Sequence, residues 1–195
     1  MIEHKFPYES FIGGWYIPEK ICDDLIEEFK KARENGYTAQ GQQKLGNKMY
    51  VDKELKDSED LAIGSSYMEN PIGDYRLLLQ KCLDQYVEKY EHANKLSAYN
   101  INEFFNIQYY KPGGGFKNWH SERSNKTSHK RVLVFMTYLN DVDDGGTEFY
   151  YQNLITSAKK GLTLIWPADW THTHKSQISY TKEKYITTGW FSFNE

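Results

Sequence analysis

Two segments of the N-terminal half carry apolar residues at helical spacing. After Pro18, which suits the first turn of a helix, the apolar positions are Ile21, Leu25, Phe29 and Ala32, and charged residues occupy the other face. A second stripe predicts a helix over residues 74–92, with apolar positions Leu78, Leu79, Cys82, Tyr86 and Tyr90. The polar, glycine-containing residues 37–66 between them predict a strand or hairpin and a mobile loop.

The hydrophobic pattern changes in the C-terminal half, where short runs rich in Val, Ile, Thr, Tyr, Phe and Trp alternate with turn signals such as Pro112-Gly113-Gly114-Gly115. Five or more short strands of this kind indicate an antiparallel sandwich or jelly roll, so we expect a mainly β, α+β fold with helices supporting a barrel. The predicted strands are Ile101–Tyr110, Arg131–Leu139, Thr147–Gln152, Gly161–Trp166 and Tyr185–Phe193.

Length and charge narrow the class of protein. The 195 residues predict a single domain. Its N-terminal part, 1–98, would hold the supporting helices and a lid-like loop over 37–60, and 99–195 would form the β core. A net charge of −3 argues against nucleic acid as a partner, and the apolar runs are too short for a membrane span. With two isolated cysteines and no visible signal peptide, we expect a cytoplasmic protein.

Candidate chemistry lies in two histidine motifs. His120-Ser121-Glu122 would direct an imidazole and a carboxylate to one face of an extended segment, because alternate residues of a strand share a face. His172-Thr173-His174 follows the Gly161–Trp166 strand. H-x-E followed by a histidine on another strand is typical of the 2-His-1-carboxylate site of non-haem Fe(II) oxygenases, although a zinc site is a possible alternative.

An Fe(II) site of this type that uses a dicarboxylate cosubstrate such as 2-oxoglutarate needs a cation and hydroxyl donors for the distal carboxylate. Lys184, ten residues after His174, is the candidate cation, and Tyr138 and Tyr110 are the candidate hydroxyls. The alternative for Lys184 is an ordinary surface lysine, and with 16 tyrosines in the chain most must simply pack.

The order of motifs in residues 106–193 resembles the prolyl 4-hydroxylase-like 2-oxoglutarate/Fe(II) dioxygenases, particularly the short bacterial and phage forms. The N-terminal Ile17–Cys22 segment is also similar to a helix start in these proteins. The matching pieces are Tyr110-Lys111-Pro112-Gly113, His120-Ser121-Glu122, Tyr138-Leu139-Asn140-Asp141, Gly145-Gly146-Thr147-Glu148-Phe149, Lys160-Gly161 through Trp166-Pro167, and His174 through Lys184-Tyr185 to Trp190-Phe191.

The resemblance implies a double-stranded β-helix (jelly roll) core and the cofactors Fe(II), 2-oxoglutarate, dioxygen and ascorbate. It implies hydroxylation of a prolyl residue in a peptide or protein, with succinate and CO2 as coproducts. The implied metal ligands are His120, Glu122 and His174. Lys184 and Tyr138 would bind 2-oxoglutarate, Tyr110 would lie near the metal, and Trp190 would line the pocket.

The chain departs from the family pattern at Glu122, where an aspartate is usual, so a longer side chain must adjust to reach the metal. At Ser176, the family has glycine. His172 with Lys182 repeats the spacing of His174 with Lys184, but only the second pair precedes a tyrosine and places Trp190 correctly. We therefore expect His174 to be the ligand and His172 to lie behind it or at the surface.

The substrate is less well defined by the sequence. Residues 37–60 and the basic segment 123–131, including Arg123, are candidate walls of a peptide groove. Two alternatives stay open: an oxygenase acting on a free amino acid or other small molecule, and a barrel that binds metal or peptide without turnover.

Overall fold

The computed structural model describes residues 1–45 and 48–194. Its helices are α1 (Glu19–Glu34) and α2 (Ile72–Lys89), and 3-10 turns follow at Glu91–Lys95 and Trp170–His172. The strands are β1 (Ile2–Glu3), β2 (Gly13–Tyr16), β3 (Ala39–Gln40), β4 (Gln43–Leu45), β5 (Lys48–Tyr50), β6 (Lys56–Asp57), β7 (Glu59–Ile63), β8 (Tyr99–Asn100), β9 (Phe105–Tyr110), β10 (Gly115–Phe116), β11 (Arg131–Tyr138), β12 (Thr147–Phe149), β13 (Leu154–Ile155), β14 (Leu162–Pro167), β15 (His174–Ser176) and β16 (Lys184–Phe193).

A large antiparallel sheet forms one wall of the molecule. Its strands lie in the order β1-β2-β14-β11-β16-β9-β7-β3, with β8 beside β16, while a smaller sheet has the order β13-β12-β15. Side chains of both sheets share one core, in which Phe149 of the small sheet packs edge-on against Trp166 of the large sheet. The fold is the double-stranded β-helix expected from the sequence motifs.

The alternation of side chains along β11 separates two hydrophobic clusters. One lies between the large sheet and the helices, and the other lies between the two sheets. Leu133 and Phe135 face the helices, where they pack with Leu25 and Phe29 of α1 and Leu79 of α2. The intervening side chains face the sandwich interior, as the two-residue period of a strand requires. The helices therefore buttress one face of the sheet and leave the other face for the site.

The sequence located both helices to within about three residues. The strand predicted at 101–110 is wrong in its first part, because the ladder between β9 and β7 begins only at Phe105. The pattern missed β1 and β2, which extend the large sheet beyond β14.

The segment predicted as a lid over 37–60 has two structural parts. β3 and β7 join the large sheet, whereas β4 and β5 pair only with each other. Residues 46 and 47 of the predicted lid lie outside the described residues, as does 195 at the end of the predicted β core. Among the described residues, neither helix has the length and apolar character needed to cross a membrane.

Candidate metal centre

His120 and His174 are brought together by their own main chains. The amide of each donates to the carbonyl of the other, at N···O distances of 3.0 Å and 2.9 Å, in an isolated antiparallel bridge. Phe116 stacks on the His120 ring with a centroid distance of 3.7 Å. Backbone pairing and ring stacking together hold the two imidazoles on one side of the cavity.

A hydrogen bond from Nδ1 fixes the orientation of each imidazole ring. His120 Nδ1 donates to the Asn118 carbonyl at 2.9 Å, and His174 Nδ1 donates to the His172 carbonyl at 2.8 Å. Since a carbonyl can only accept, Nδ1 carries a proton in both rings, and Nε2 is the nitrogen left to face the cavity, as in histidines that bind metals. Each Nε2 faces Glu122 Oε1, at 3.4 Å from His120 and 3.6 Å from His174.

One ligand atom from each of His120, Glu122 and His174 lies within 4.8 Å of the others, which is a spacing that one metal ion can bridge. Burial by itself would raise the pKa of Glu122, but the two adjacent imidazoles outweigh it and hold that pKa well below its ordinary value. Burial lowers the pKa of His174, and the nearby His120 lowers it further. An ionised carboxylate and a neutral imidazole are the forms that bind metal.

A cavity of about 100 Å³ opens beside these three side chains. The predicted residues Tyr110 and Trp190 lie on its wall, whereas Lys184 and Tyr138 are absent from the described residues that line it. The lining side chains are Asn106, Gln108, Tyr110, Phe116, His120, Glu122, Met136, Thr147, Trp166, His174, Lys175, Ser176, Ile186, Thr188 and Trp190.

Lys184 is buried, with 3% of its surface exposed. Its ammonium donates to the carbonyls of Gly145 at 2.8 Å and Gln177 at 3.2 Å, and it lies 5.4 Å from the Tyr110 ring. Burial lowers its pKa to about 8, although Asp144 acts in the opposite direction. The lysine is therefore an interior cation next to a cavity-lining tyrosine.

The two predicted tyrosines occupy different layers. Tyr138 is buried behind the wall, where its hydroxyl hydrogen-bonds to Thr147 at 2.7 Å and Thr156 at 2.8 Å. Burial raises its pKa to about 12. Tyr110 lies on the wall and donates to Gln108 Oε1 at 2.7 Å.

Arg123 and His172 lie outside the cavity wall as far as the described residues show. Arg123 pairs with Asp169, its Nε donating at 2.8 Å, beside a separate surface groove. His172 is buried, with its ring against the Ser10 carbonyl at 3.0 Å, and it serves the site through its own main-chain carbonyl. His172 ends the 3-10 turn and His174 begins β15, so the two imidazoles do not share a face, and His174 is the one that faces Glu122.

The sequence analysis did not identify two residues that support the site. Phe116 stacks on His120, and the Arg131 guanidinium lies 3.4 Å from Glu122 Oε2. Arg131 was noted only as part of a basic segment. Its position at the start of a predicted strand gave no indication of which face it would occupy.

The glutamate at position 122 reaches the two histidines without displacing them. Its second oxygen, Oε2, accepts a hydrogen bond from Trp190 Nε1 at 2.9 Å. The extra methylene relative to aspartate is therefore accommodated within the site, with the carboxylate lying between the imidazoles and the indole.

Residues 105–192 match the model of the 2OG-Fe(II) oxygenase superfamily. A search of curated protein sequences gives no significant match.

Several solved structures share the fold at low sequence identity. A Pseudomonas putida prolyl-4-hydroxylase has a TM-score of 0.71 and 15% identity, covering 93% of this chain and 92% of that one. A Trichoplax adhaerens prolyl hydroxylase, in complex with a hypoxia inducible factor peptide fragment, has a TM-score of 0.69 and 16% identity, covering 93% and 83%. The viral collagen prolyl hydroxylase of Paramecium Bursaria Chlorella virus-1 has a TM-score of 0.65 and 17% identity, covering 95% and 97%. Residues 105–192 therefore match the 2OG-Fe(II) oxygenase superfamily, and the chain shares the fold of solved prolyl 4-hydroxylases.

Proposed function

We propose that this protein is a 2-oxoglutarate- and Fe(II)-dependent oxygenase that hydroxylates a prolyl residue in a peptide or protein. The observation that carries the proposal is the convergence of His120, Glu122 and His174 within 4.8 Å at the edge of a cavity. The donor set fits Fe(II), since two imidazoles and one carboxylate on one side of an ion leave its other positions open.

When bound, the metal and 2-oxoglutarate supply the oxidation: one dioxygen, one 2-oxoglutarate and one C–H bond give succinate, CO2 and an alcohol. The protein supplies the metal ligands, orients the reactants and lines the cavity with side chains that exclude water. Among the described residues, no side-chain acid or base stands free at the cavity, and this scheme requires none.

Lys184 is the residue that we assign to the distal carboxylate of the cosubstrate. Among the lysines whose side chains the structure describes, Lys56 is also deeply buried, but it is paired with Asp60 at 2.6 Å, whereas the hydrogen bonds of the Lys184 ammonium go to two main-chain carbonyls. A third N–H of that ammonium is available for an anion. Because Lys184 lies behind Tyr110, we expect the cavity to deepen at this tyrosine when a dicarboxylate binds.

Tyr138 and Thr147 support the same end of the cavity. Thr147 lines the wall and hydrogen-bonds to the buried Tyr138 hydroxyl, so rotation of either hydroxyl offers a donor to an incoming carboxylate. Ascorbate would keep the iron reduced between turnovers.

A second cleft of about 350 Å³ adjoins the metal centre and shares His120, Glu122 and Trp190 with the cavity. It supplies hydrogen-bonding groups that suit a polar main chain, among them Gln42 from the segment 37–60. The other polar side chains are Asn106, Ser121, Ser124, Asn125, Thr127, Ser128 and Arg131. This lining supports a peptide substrate. The structural similarity to prolyl hydroxylases supports proline as the reacting residue.

The experiment is 2-oxoglutarate turnover by protein loaded anaerobically with Fe(II), in the presence of ascorbate, with and without proline-rich peptides. We expect succinate formation that peptide stimulates and that His174→Ala and Lys184→Ala abolish, with a peptide mass gain of one oxygen atom. Succinate stimulated by free amino acids but not by peptides would replace the peptide substrate with a small molecule. Metal binding without succinate under any condition would favour a non-catalytic barrel.

A further inference from the structure

The two oxygens of the Glu122 carboxylate have different partners. Oε1 faces the Nε2 atoms of His120 and His174 at 3.4 Å and 3.6 Å. Oε2 faces the other way, where it accepts from Trp190 Nε1 at 2.9 Å and lies 3.4 Å from Arg131 Nη1. Only Oε1 is therefore directed at the metal position.

Trp190 is itself fixed by its neighbours. It lies in the long strand β16, opposite Val134 of β11, and the Arg131 guanidinium stacks 3.4 Å from its ring centroid. Such cation–π contacts add to the orientation of an indole that already has a hydrogen bond. The indole N–H is thus held by the ladder of the large sheet rather than by a loop.

Arg131 is neutralised by another carboxylate. Its Nη2 donates to Glu103 Oε2 at 2.7 Å and its Nε at 3.1 Å, while the Ser192 hydroxyl fixes the same Glu103 at 2.6 Å. Arg131 Nη1 also donates to the Glu122 main-chain carbonyl at 3.2 Å. Because Glu103 is the nearer partner, the guanidinium is held mainly by Glu103 and lies at the longer distance of 3.4 Å from Glu122 Oε2.

We propose that Trp190, supported by Arg131, is a positioning residue that restricts Glu122 to one metal-binding oxygen. This inference rests on the proposed function, in which Glu122 is a ligand. A glutamate side chain is longer than an aspartate by about 1.5 Å, one carbon–carbon bond, and carboxylates bind ions through one or both oxygens. Binding through both would occupy a position that a chelating cosubstrate and dioxygen require. The indole N–H removes that possibility and accounts for a functional glutamate at this position.

The test uses Co(II) as the probe, without cosubstrate, because its visible absorption reports coordination number. Trp190→Phe keeps an aromatic ring at this position and removes the indole donor. We expect it to weaken Co(II) binding by about tenfold or more, the effect of losing an outer-shell partner, and to lower the molar absorptivity as coordination number rises. Trp170→Phe, at an exposed tryptophan, is the matched control and should leave both quantities unchanged.

A double-mutant cycle separates positioning from a general effect on folding. In the Glu122→Asp background the shorter carboxylate no longer reaches the indole, so Trp190→Phe should change Co(II) affinity by less than about twofold. Arg131→Lys, which removes the stacked guanidinium plane, should give a spectrum between those of the wild type and Trp190→Phe.

The outcomes distinguish the inference from the function on which it rests. Equal effects of Trp190→Phe in both backgrounds, or an unchanged spectrum with Glu122 present, would overturn the positioning role while leaving the metal site intact. If the wild-type protein binds no Co(II), both the inference and the proposed function fail.

Discussion

Lys184 makes the folded protein less stable at neutral pH than it would be with an uncharged side chain of similar shape. Its pKa of about 8 lies below the ordinary 10.5 because burial removes water from the ammonium. That difference of about 2.5 pH units corresponds to roughly 3 kcal/mol, at about 1.36 kcal/mol per unit. This free energy is the cost of burying the ammonium.

The sign of the pH dependence follows from proton binding. Between pH 8 and 10.5 the unfolded chain holds a proton on Lys184 that the folded chain has released, so wild-type stability rises with pH across this range. Lys184→Met has no such group. Relative to this variant, the wild type should gain about 2 to 3 kcal/mol between about pH 7 and about pH 10.

The assay is urea unfolding of both proteins across this pH range, compared at each pH so that other titrating groups cancel. At neutral pH the methionine variant avoids the charge cost but leaves the carbonyls of Gly145 and Gln177 without their donor, so the slope with pH is more informative than any single value. Lys182→Met, at a half-exposed lysine two residues away that pairs with Asp143, is the matched control and should show no comparable slope.

A free-energy difference between wild type and Lys184→Met that stays constant with pH would refute the reasoning. A second arm adds 2-oxoglutarate together with a divalent metal. A carboxylate next to the ammonium favours its charged form, so the ligand should stabilise the wild type more at neutral than at alkaline pH, and it should not stabilise the variant through this site.

Three further sets of variants test the choice of metal-binding histidine, a largely buried ion pair and the packing of the large sheet. His174→Ala should lower Co(II) affinity by more than about 100-fold, beyond the loss expected for an outer-shell residue. His172→Ala keeps the carbonyl that orients His174 and should change affinity only slightly by isothermal titration; the reverse order would mean that the other histidine is the ligand. Lys56→Met leaves the half-buried Asp60 without its cation and should cost about 3 kcal/mol in urea unfolding, with a smaller loss when Asp60→Leu is added, whereas equal losses would argue against an uncompensated charge. Gly189→Ala would place a Cβ 2.5 Å from two phenylalanine side chains, so thermal unfolding should reveal a loss of about 1 to 3 kcal/mol, and an unchanged Tm would show that the sheet can yield there.

The periodic elements of this protein can be recognised from residue pattern alone. The three-to-four spacing of Ile21, Leu25 and Phe29 predicted a helix that the structure has, because a helical face buried on a sheet must be apolar at that spacing. Strand runs and the His120-Ser121-Glu122 motif were also evident, since residue type and local spacing are enough to define them.

Contacts between distant residues depend instead on how the strands pair. Alternation with Leu133 and Phe135 would turn Arg131 toward the helices, but a register shift between Arg131 and Leu133 brings it to Trp190 and Glu122. That shift arises from pairing with a strand some sixty residues later, and local pattern carries no information about it.

Pairing between distant strands also determines the positions of His172, His174 and Lys184. His172 and His174 have nearly the same local sequence, and the bridge between His120 and His174 determines which imidazole faces Glu122. Lys184 was evident as a candidate, but its position behind Tyr110 depends on the ladder that joins β9 and β16. Candidate functional residues can be predicted from local sequence motifs. The direction in which their side chains point is set by strand pairing between distant segments.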